Sequence, residues 1–187
     1  MDHDALTAAL DLLGRTLADR GRSYHVAIVG GSALLLTGEG LRPTQDVDVV
    51  AVASGGAALG TTWTLPSELC DAASDVAMRL GLSPDWLNAG AGAILERRLP
   101  DGYERRLRSR VYDGLVVSVL SRPDLVRLKV LAAIDEGVDS RHMHDLRRMA
   151  ATRAECTDAV RWALRTHHAR DPLLRDIARA LDVELEP

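Results

Sequence analysis

The chain has 187 residues, which is enough to bury one hydrophobic core of good size or two small ones. Its net charge of −4 excludes a general electrostatic attraction to nucleic acid, so any such binding must use a local basic patch. No apolar run reaches the roughly 18 residues that a membrane-spanning helix needs, and the N-terminus does not resemble a signal peptide. We therefore expect a cytoplasmic protein that has no membrane partner and carries Cys70 and Cys156 as reduced thiols in its core.

Strand and helix patterns alternate in the first two thirds of the chain, and only helical patterns follow. The first predicted element is an amphipathic helix at residues 4–20, where leucines recur every three or four positions. The later predicted elements are a strand at 26–29, a helical turn at 33–36, a strand at 46–52, a helix at 67–80 with Ser67 as N-cap, a hairpin of strands at 106–111 and 115–120, and helices at 121–135, 141–150, 153–168 and 172–181. The change near residue 121 predicts two domains, an α/β core at 1–120 and a C-terminal helical subdomain at 121–187.

Two glycines and a serine follow the strand predicted at 26–29. Gly30 and Gly31 would let the backbone approach a phosphate closely, and the N–H groups of the following helical turn would face it. Ser32 adds a hydroxyl donor. The stretch predicts a phosphate-binding corner, and the alternative is an ordinary tight turn.

Two aspartates lie in the strand predicted at 46–52. Side chains alternate between the faces of a strand, so Asp46 and Asp48 are expected on one face, about 7 Å apart. Carboxylates this close repel each other, and a bound Mg²⁺ or Mn²⁺ would compensate for the repulsion. The alternative is an acidic strand face in solvent, but together with the glycine corner the pair points to nucleotide chemistry.

The order of these motifs is similar to that in a known group of proteins. Residues 30–32 (Gly-Gly-Ser), followed after a short spacer by residues 46–48 (Asp-Val-Asp), resemble the signature of the nucleotidyltransferase superfamily of DNA polymerase β and the aminoglycoside nucleotidyltransferases. Arg42 and Thr44, which precede the aspartates, make the stretch more similar to the minimal AbiEii/MenT-type branch, known mainly from bacterial toxin–antitoxin systems. The resemblance implies an α+β fold: a small mixed β-sheet nucleotidyltransferase core flanked by helices, followed by a C-terminal helical bundle.

A second stretch extends the resemblance into the helical half. Leu125-x-x-Leu128-Lys129, followed by Arg141-x-x-x-Asp145, resembles the helical element in which these proteins carry a lysine and a later aspartate. Lys129 is the single lysine of a chain with 22 arginines. The implied roles are metal ligation and catalysis for Asp46 and Asp48, nucleotide binding for Gly30, Gly31, Ser32, Arg42, Thr44 and Lys129, and further catalytic roles for Lys129 and Asp145. From spacing alone, a surface ion-pair ladder of Arg141, Asp145 and Arg148 explains the aspartate equally well.

Two further features bear on the function. Larger relatives place a third metal-binding carboxylate on a later strand, whereas the strand predicted at 115–120 has Ser118 and no acid, which leaves one bound metal or two as alternatives. Arg106, Arg108 and Arg110 are predicted on one strand face, with Arg97, Arg98 and Arg105 nearby in sequence. The arginines are candidates for binding RNA phosphates or a triphosphate, and the alternative is a solvated strand edge. Trp86 and Asn88 are further candidates for a nucleotide pocket, with simple loop packing as the alternative.

The sequence thus predicts Mg²⁺-dependent transfer of a nucleoside monophosphate from an NTP to a hydroxyl of RNA, tRNA or protein. Three alternatives stay open: a regulatory module that binds nucleotide with weak or no catalysis, a toxin–antitoxin component that acts mainly through protein contacts, and an enzyme with a small-molecule acceptor. The expected protein partners are a cognate antitoxin or a second copy of the chain.

Overall fold

The computed structural model describes residues 1–39, 42–95, 99–166 and 172–185, without the side chains of residues 93–95 and 166. The predicted positions Arg97 and Arg98 lie outside these residues. The described part of the chain has eight α-helices and six strands in one mixed sheet, which confirms the predicted α+β class. It forms two compact units, one of Met1–Arg97 with Gly102–Leu120 and one of Arg98–Asp101 with Ser121–Pro187.

The first unit contains the sheet. Its elements are α1 (His3–Asp19), β1 (Tyr24–Val29), α2 (Gly30–Leu36), β2 (Val47–Ser54), β3 (Gly60–Thr61), α3 (Ser67–Leu80), β4 (Leu87–Asn88), α4 (Gly90–Leu95), a 3₁₀ turn (Tyr103–Arg106), β5 (Arg108–Tyr112) and β6 (Leu115–Val119). The strand order is β3-β2-β1-β6-β5, and β4 pairs with β2 as well. β1 lies antiparallel to β2 and parallel to β6, so the end of β1 meets the start of β2.

Helix α1 packs against α3 and the β5–β6 hairpin. Its apolar positions are fully buried at Leu6, Leu10, Leu13 and Leu17. Gly14 allows the close approach, because a Cβ there would lie 1.8 Å from the carbonyl oxygen of Tyr112. The hairpin turns at Asp113, which has a φ of +46°, as the Asp-Gly pair predicts.

Several local predictions need correction. Both glycines of the Gly-Gly-Ser motif lie inside α2, which begins at Gly30. β2 begins at Val47, so Asp46 precedes the strand and strand alternation does not place its side chain. The N-cap of α3 is Pro66 and not Ser67, because Ser67 already has helical geometry. Cys70 is exposed, so only Cys156 is a core thiol.

The second unit is helical and is built on its first helix. Its elements are α5 (Arg122–Glu136), α6 (Arg141–Arg148), α7 (Arg153–Thr166) and α8 (Pro172–Ala180). α5 contacts each of the other three helices, which explains why its polar residues Asp124 and Lys129 are buried along with its apolar ones. Gly137 ends α5 with a φ of +95°.

Among the described helices, none is both long enough and apolar enough to cross a lipid bilayer.

Candidate active site

The junction of β1 and α2 forms a corner beside Asp48. β1 ends at Val29, which pairs with Asp48 of the antiparallel strand β2. The next residue, Gly30, has a φ of +76°, in the left-handed region that favours glycine. A Cβ atom on Gly30 would lie 2.6 Å from Oδ2 of Asp48. The missing side chain therefore leaves room for the Asp48 carboxylate at the start of the Gly-Gly-Ser motif.

A bulge in β2 lies next to this corner. The β1–β2 register shifts between Ala27, which pairs with Ala51, and Ile28, which pairs with Val49. Val50 is thus an extra residue on β2, and it is buried like Val49. A bulge changes which way the following side chains point and is common beside functional sites. Here it sets the register that brings Asp48 next to Val29.

Thr44 supports the backbone that leads into the aspartates. Its hydroxyl donates to the carbonyl oxygen of Asp46 at 3.0 Å, and its side chain is buried. A Cβ on Gly31 would lie 3.0 Å from the same hydroxyl oxygen. Thr44 therefore holds the backbone of Asp46 and packs against Gly31, and Arg42 lies half-buried two residues before it.

Ser32 is engaged within the fold. Its side chain is fully buried, and its hydroxyl donates to the carbonyl oxygen of Val29 at 3.1 Å. The bond joins the last residue of β1 to the first turn of α2. Contact between this hydroxyl and a phosphate would require that bond to break.

Asn88 is a neighbour of Asp48 that sequence spacing does not reveal. β4 runs parallel to β2, and Asn88 is the register partner of Asp48, so both side chains lie on the same sheet face. Its Oδ1 accepts from the backbone N–H of Gly90 at 2.9 Å. Trp86, by contrast, is fully buried and donates through Nε1 to the carbonyl oxygen of Ala73 at 2.9 Å, so it belongs to the core.

Ser118 belongs to a hydrogen-bonded row that crosses three strands. Its hydroxyl lies 2.6 Å from Nε2 of His25 on β1 and 2.6 Å from the hydroxyl of Ser109 on β5. Burial lowers the pKa of His25. β6 pairs with β1 and β5 and not with the aspartate strand, and Ser118 is fully buried. Across residues 1–39, 42–95, 99–166 and 172–185, no group of three or more His, Cys, Asp or Glu side chains is placed to hold a metal ion.

Lys129 and Asp145 meet inside the second unit. Lys129 Nζ lies 2.7 Å from Asp145 Oδ2, and the two side chains are 7% and 3% exposed. The alternative of a surface ladder with Arg141 and Arg148 does not hold for Asp145, because its carboxylate is buried and bonded to Lys129 on α5. His142 on the same helix contacts Glu136 through Nε2 at 3.1 Å.

Asp48 puts a carboxylate at the glycine corner, and Asp46 adds a second one two residues before it. Carboxylate oxygens are the ligands that Mg²⁺ and Mn²⁺ prefer. The space that a Cβ of Gly30 would fill lies directly against Asp48 Oδ2. Both aspartates are half-buried, so they combine partial desolvation with access for a substrate.

The sheet, the glycine corner and Asp48 beside it belong to one α+β core. Residues 5–148 match the family described as "Nucleotidyltransferase of unknown function (DUF6036)", and the chain belongs to this family. The match includes the Gly-Gly-Ser and Asp-Val-Asp motifs and extends through Lys129 and Asp145.

The chain is also similar to the crystal structure of an antigenic nucleotidyltransferase-like protein from Paracoccidioides brasiliensis. The two share 16% sequence identity with a TM-score of 0.49, over 100% of this chain and 96% of that chain. A likeness this distant assigns neither a substrate nor a residue role. No functionally curated protein matches the chain.

Proposed function

We propose that this protein transfers a nucleoside monophosphate from an NTP to a hydroxyl group of RNA, tRNA or protein, with Mg²⁺ or Mn²⁺ as cofactor. The observation that carries the proposal is the contact between the Gly30 corner and Asp48, in a chain of a nucleotidyltransferase family. In the reaction, the acceptor oxygen bonds to the α-phosphorus while the bond to the pyrophosphate oxygen breaks. The hydroxyl proton is released, and pyrophosphate leaves.

Asp46 and Asp48 would hold the divalent ion. When bound, such an ion neutralises phosphate oxygens and lowers the pKa of the attacking hydroxyl. Thr44 would keep Asp46 in place through its hydrogen bond to the Asp46 carbonyl. Gly30 and Gly31 would let the triphosphate approach the backbone, because neither adds a side chain at the corner. Positioning and charge stabilisation of this kind supply most of the rate in phosphoryl transfer.

The roles of Lys129 and Asp145 rest on the AbiEii/MenT-type resemblance. By this resemblance, Lys129 would neutralise the negative charge that develops on the leaving pyrophosphate. Asp145 would be a further acidic group. Their buried ion pair also gives both residues a structural role that needs no substrate. The same resemblance supports a toxin–antitoxin context with a cognate antitoxin or a second copy as partner, which co-purification with neighbouring gene products would test.

The test is incorporation of label from each of the four NTPs into total RNA and protein. We expect the double variant Asp46→Asn with Asp48→Asn to abolish transfer and keep the thermal unfolding midpoint of the wild type. Asp19→Asn with Asp71→Asn is the matched control, because both of these acids are exposed and the charge change is the same. Transfer that survives the loss of Asp46 and Asp48 would disprove the proposal.

A second candidate function is nucleotide binding with weak or no catalysis. The observation in its favour is the engagement of the Ser32 hydroxyl with Val29, which removes one predicted phosphate contact. Calorimetry with Mg-ATP separates the two functions. Heat of binding without incorporation into RNA or protein supports the regulatory module, and incorporation supports the transferase.

A further inference from the structure

A groove of about 240 Å³ lies in the first unit, between the end of α2 and the β5–β6 hairpin. Leu36, Val117 and Val119 provide its apolar lining, and Arg108 and Arg110 provide its charge. The two arginines are the register partners of Val119 and Val117, so all four side chains lie on the same sheet face. The groove therefore combines an apolar surface with two neighbouring cations.

Neither Arg108 nor Arg110 forms an ion pair with any residue that the structure describes. Some other arginines of this unit are paired, as Arg20 is with Asp75 and Arg22 with Glu68. Arg106, the third arginine of the predicted row, lies in the 3₁₀ turn before β5. In a chain with a net charge of −4, two adjacent uncompensated guanidinium groups form a local basic site.

The spacing of the two arginines suits consecutive phosphates. Residues two apart on a strand are about 7 Å apart, close to the distance between successive phosphates of an extended nucleic acid strand. A guanidinium group can donate two hydrogen bonds to one phosphate. Ser109, between them, is also part of the groove lining, and its hydroxyl lies 2.6 Å from that of Ser118.

Helix α2 joins the groove to the candidate active site in the same unit. It begins at Gly30, beside Asp48, and ends at Leu36, which lines the groove, and six residues of helix rise about 9 Å. Asp48 pairs with Val29 on the sheet face opposite Arg108 and Arg110, so a polymer held in the groove would have to pass around the end of the sheet to reach the corner.

We propose that this groove binds single-stranded nucleic acid, with consecutive phosphates on Arg108 and Arg110 and a nucleoside against the apolar lining. The inference deepens the proposed function and rests on it, because it names nucleic acid as the class of acceptor. The shared chemistry is the phosphodiester backbone, which RNA and DNA both provide.

The experiment measures fluorescence anisotropy of labelled oligouridylate, oligothymidylate and oligoglutamate over a range of salt concentrations, without NTP or metal. We expect the wild type to bind the oligonucleotides and Arg108→Ala with Arg110→Ala to bind them more weakly. The slope of log K against log salt is negative, and the loss of two phosphate contacts should reduce its magnitude by about 1.4. Arg108→Lys with Arg110→Lys should retain most of that slope, because the charge remains.

The control is Arg79→Ala with Arg175→Ala, which removes two exposed arginines without a described ion pair elsewhere in the chain. It should bind oligouridylate like the wild type. All three variants change exposed side chains, and thermal unfolding verifies that they fold. Equal binding of RNA and DNA supports recognition of the backbone, and tighter binding of RNA supports the proposal with the ribose as an added contact.

An unchanged salt slope in the Arg108→Ala, Arg110→Ala variant overturns the proposal, and so does binding of oligoglutamate alone. A parallel incorporation assay separates this failure from that of the proposed function. If the variant and the wild type transfer label to RNA equally, the groove proposal fails and the transferase proposal stands. If binding depends on the arginines but no label is transferred, the transferase proposal fails and the groove remains a nucleic-acid binding site.

Discussion

Lys129 and Asp145 form a buried ion pair that joins α5 to α6, with 2.7 Å between Nζ and Oδ2. Both charges are almost completely removed from water, so each is compensated in part by the other. A buried pair adds little stability compared with a well-packed apolar pair, but the loss of one partner removes compensation from a charge that stays in the core. The single lysine of the chain therefore has a measurable structural role, whatever it contributes to catalysis.

Removal of one partner should be more damaging than removal of both. We expect Lys129→Met or Asp145→Leu to lower the free energy of unfolding by about 3–5 kcal/mol, and the double variant to recover a large part of that loss. Urea unfolding measures all three. The exposed pair of Arg179 and Asp176 is the control, and Asp176→Asn should change stability little. Additive losses in the double variant would contradict the ion-pair account.

Glu155 joins the start of α7 to the start of α5. Its carboxylate accepts from Arg122 Nε at 2.7 Å and from the backbone N–H of Thr152 at 2.8 Å, while the Thr152 hydroxyl accepts from the N–H of Glu155 at 3.2 Å. The hydrogen bond from Arg122 is the largest cause that lowers the pKa of Glu155 from 4.5 to about 2. Thr152 and Glu155 thus form a capping box tied to a second helix.

The depressed pKa of Glu155 predicts a specific acid sensitivity. The stability it contributes is fully present above pH 4.5, where the unfolded side chain is ionised, and is lost as the pH falls towards about 2. We expect Glu155→Gln to cost about 1–2 kcal/mol at pH 7, because solvent screening reduces the effect of a partly exposed group. The unfolding midpoint measured between these pH values should fall less steeply in the variant than in the wild type. Parallel curves would contradict the assignment.

The parts of the fold that the sequence predicts well depend on local periodicity. The leucine spacing of α1 and the bounds of α3 are correct to within a residue, and so is the hairpin turn at Asp113. These signals need only neighbouring residues. The capping box at Thr152 and Glu155 is also a local signal, and it agrees with the start of α7, which the sequence places correctly at residue 153.

The parts that the sequence does not predict depend on partners distant in the chain. The spacing of Arg141, Asp145 and Arg148, at i, i+4 and i+7, fits a surface ladder or a buried Asp145 equally well, and only the position of Lys129 on another helix decides between them. The neighbours of Asp48 follow from a bulge at Val50 and a two-residue strand that ends at Asn88, neither of which leaves a periodic pattern. The glycines and aspartates predict that a corner of this type forms. They do not predict the strand register that brings Asp48 next to Val29.

His142 predicts a second pH effect at higher pH. Burial is the largest cause that lowers its pKa below the usual value of 6.5, and the positive charge of Lys129 lowers it further, although Glu136 acts in the opposite direction. The folded state therefore resists protonation of His142, so stability declines as the pH falls below 6.5, where the unfolded side chain takes up a proton. His142→Gln should remove this decline. The measurement is the urea unfolding midpoint of the wild type and the variant at a series of pH values from 7 downwards. An equal dependence of the midpoint on pH in the two proteins would refute the prediction.

Gly30 provides the sharpest test of the candidate active site, because Gly38 is a natural control. The two glycines have φ values of +76° and +77°, but a Cβ on Gly30 would meet Asp48 Oδ2 at 2.6 Å, whereas a Cβ on Gly38 would meet nothing within 4 Å. Alanine at either position should cost about 1–2 kcal/mol of stability from backbone strain. Only Gly30→Ala should displace the Asp48 carboxylate.

We therefore expect Gly30→Ala to weaken the binding of Mn²⁺, measured by electron paramagnetic resonance of the free ion, and to reduce nucleotide transfer. Gly38→Ala should lose a similar amount of stability in urea and keep both properties. The comparison separates strain, which the two variants share, from the contact with Asp48, which only one of them has. Equal Mn²⁺ affinity in the two variants would show that the corner beside Asp48 does not hold the ion.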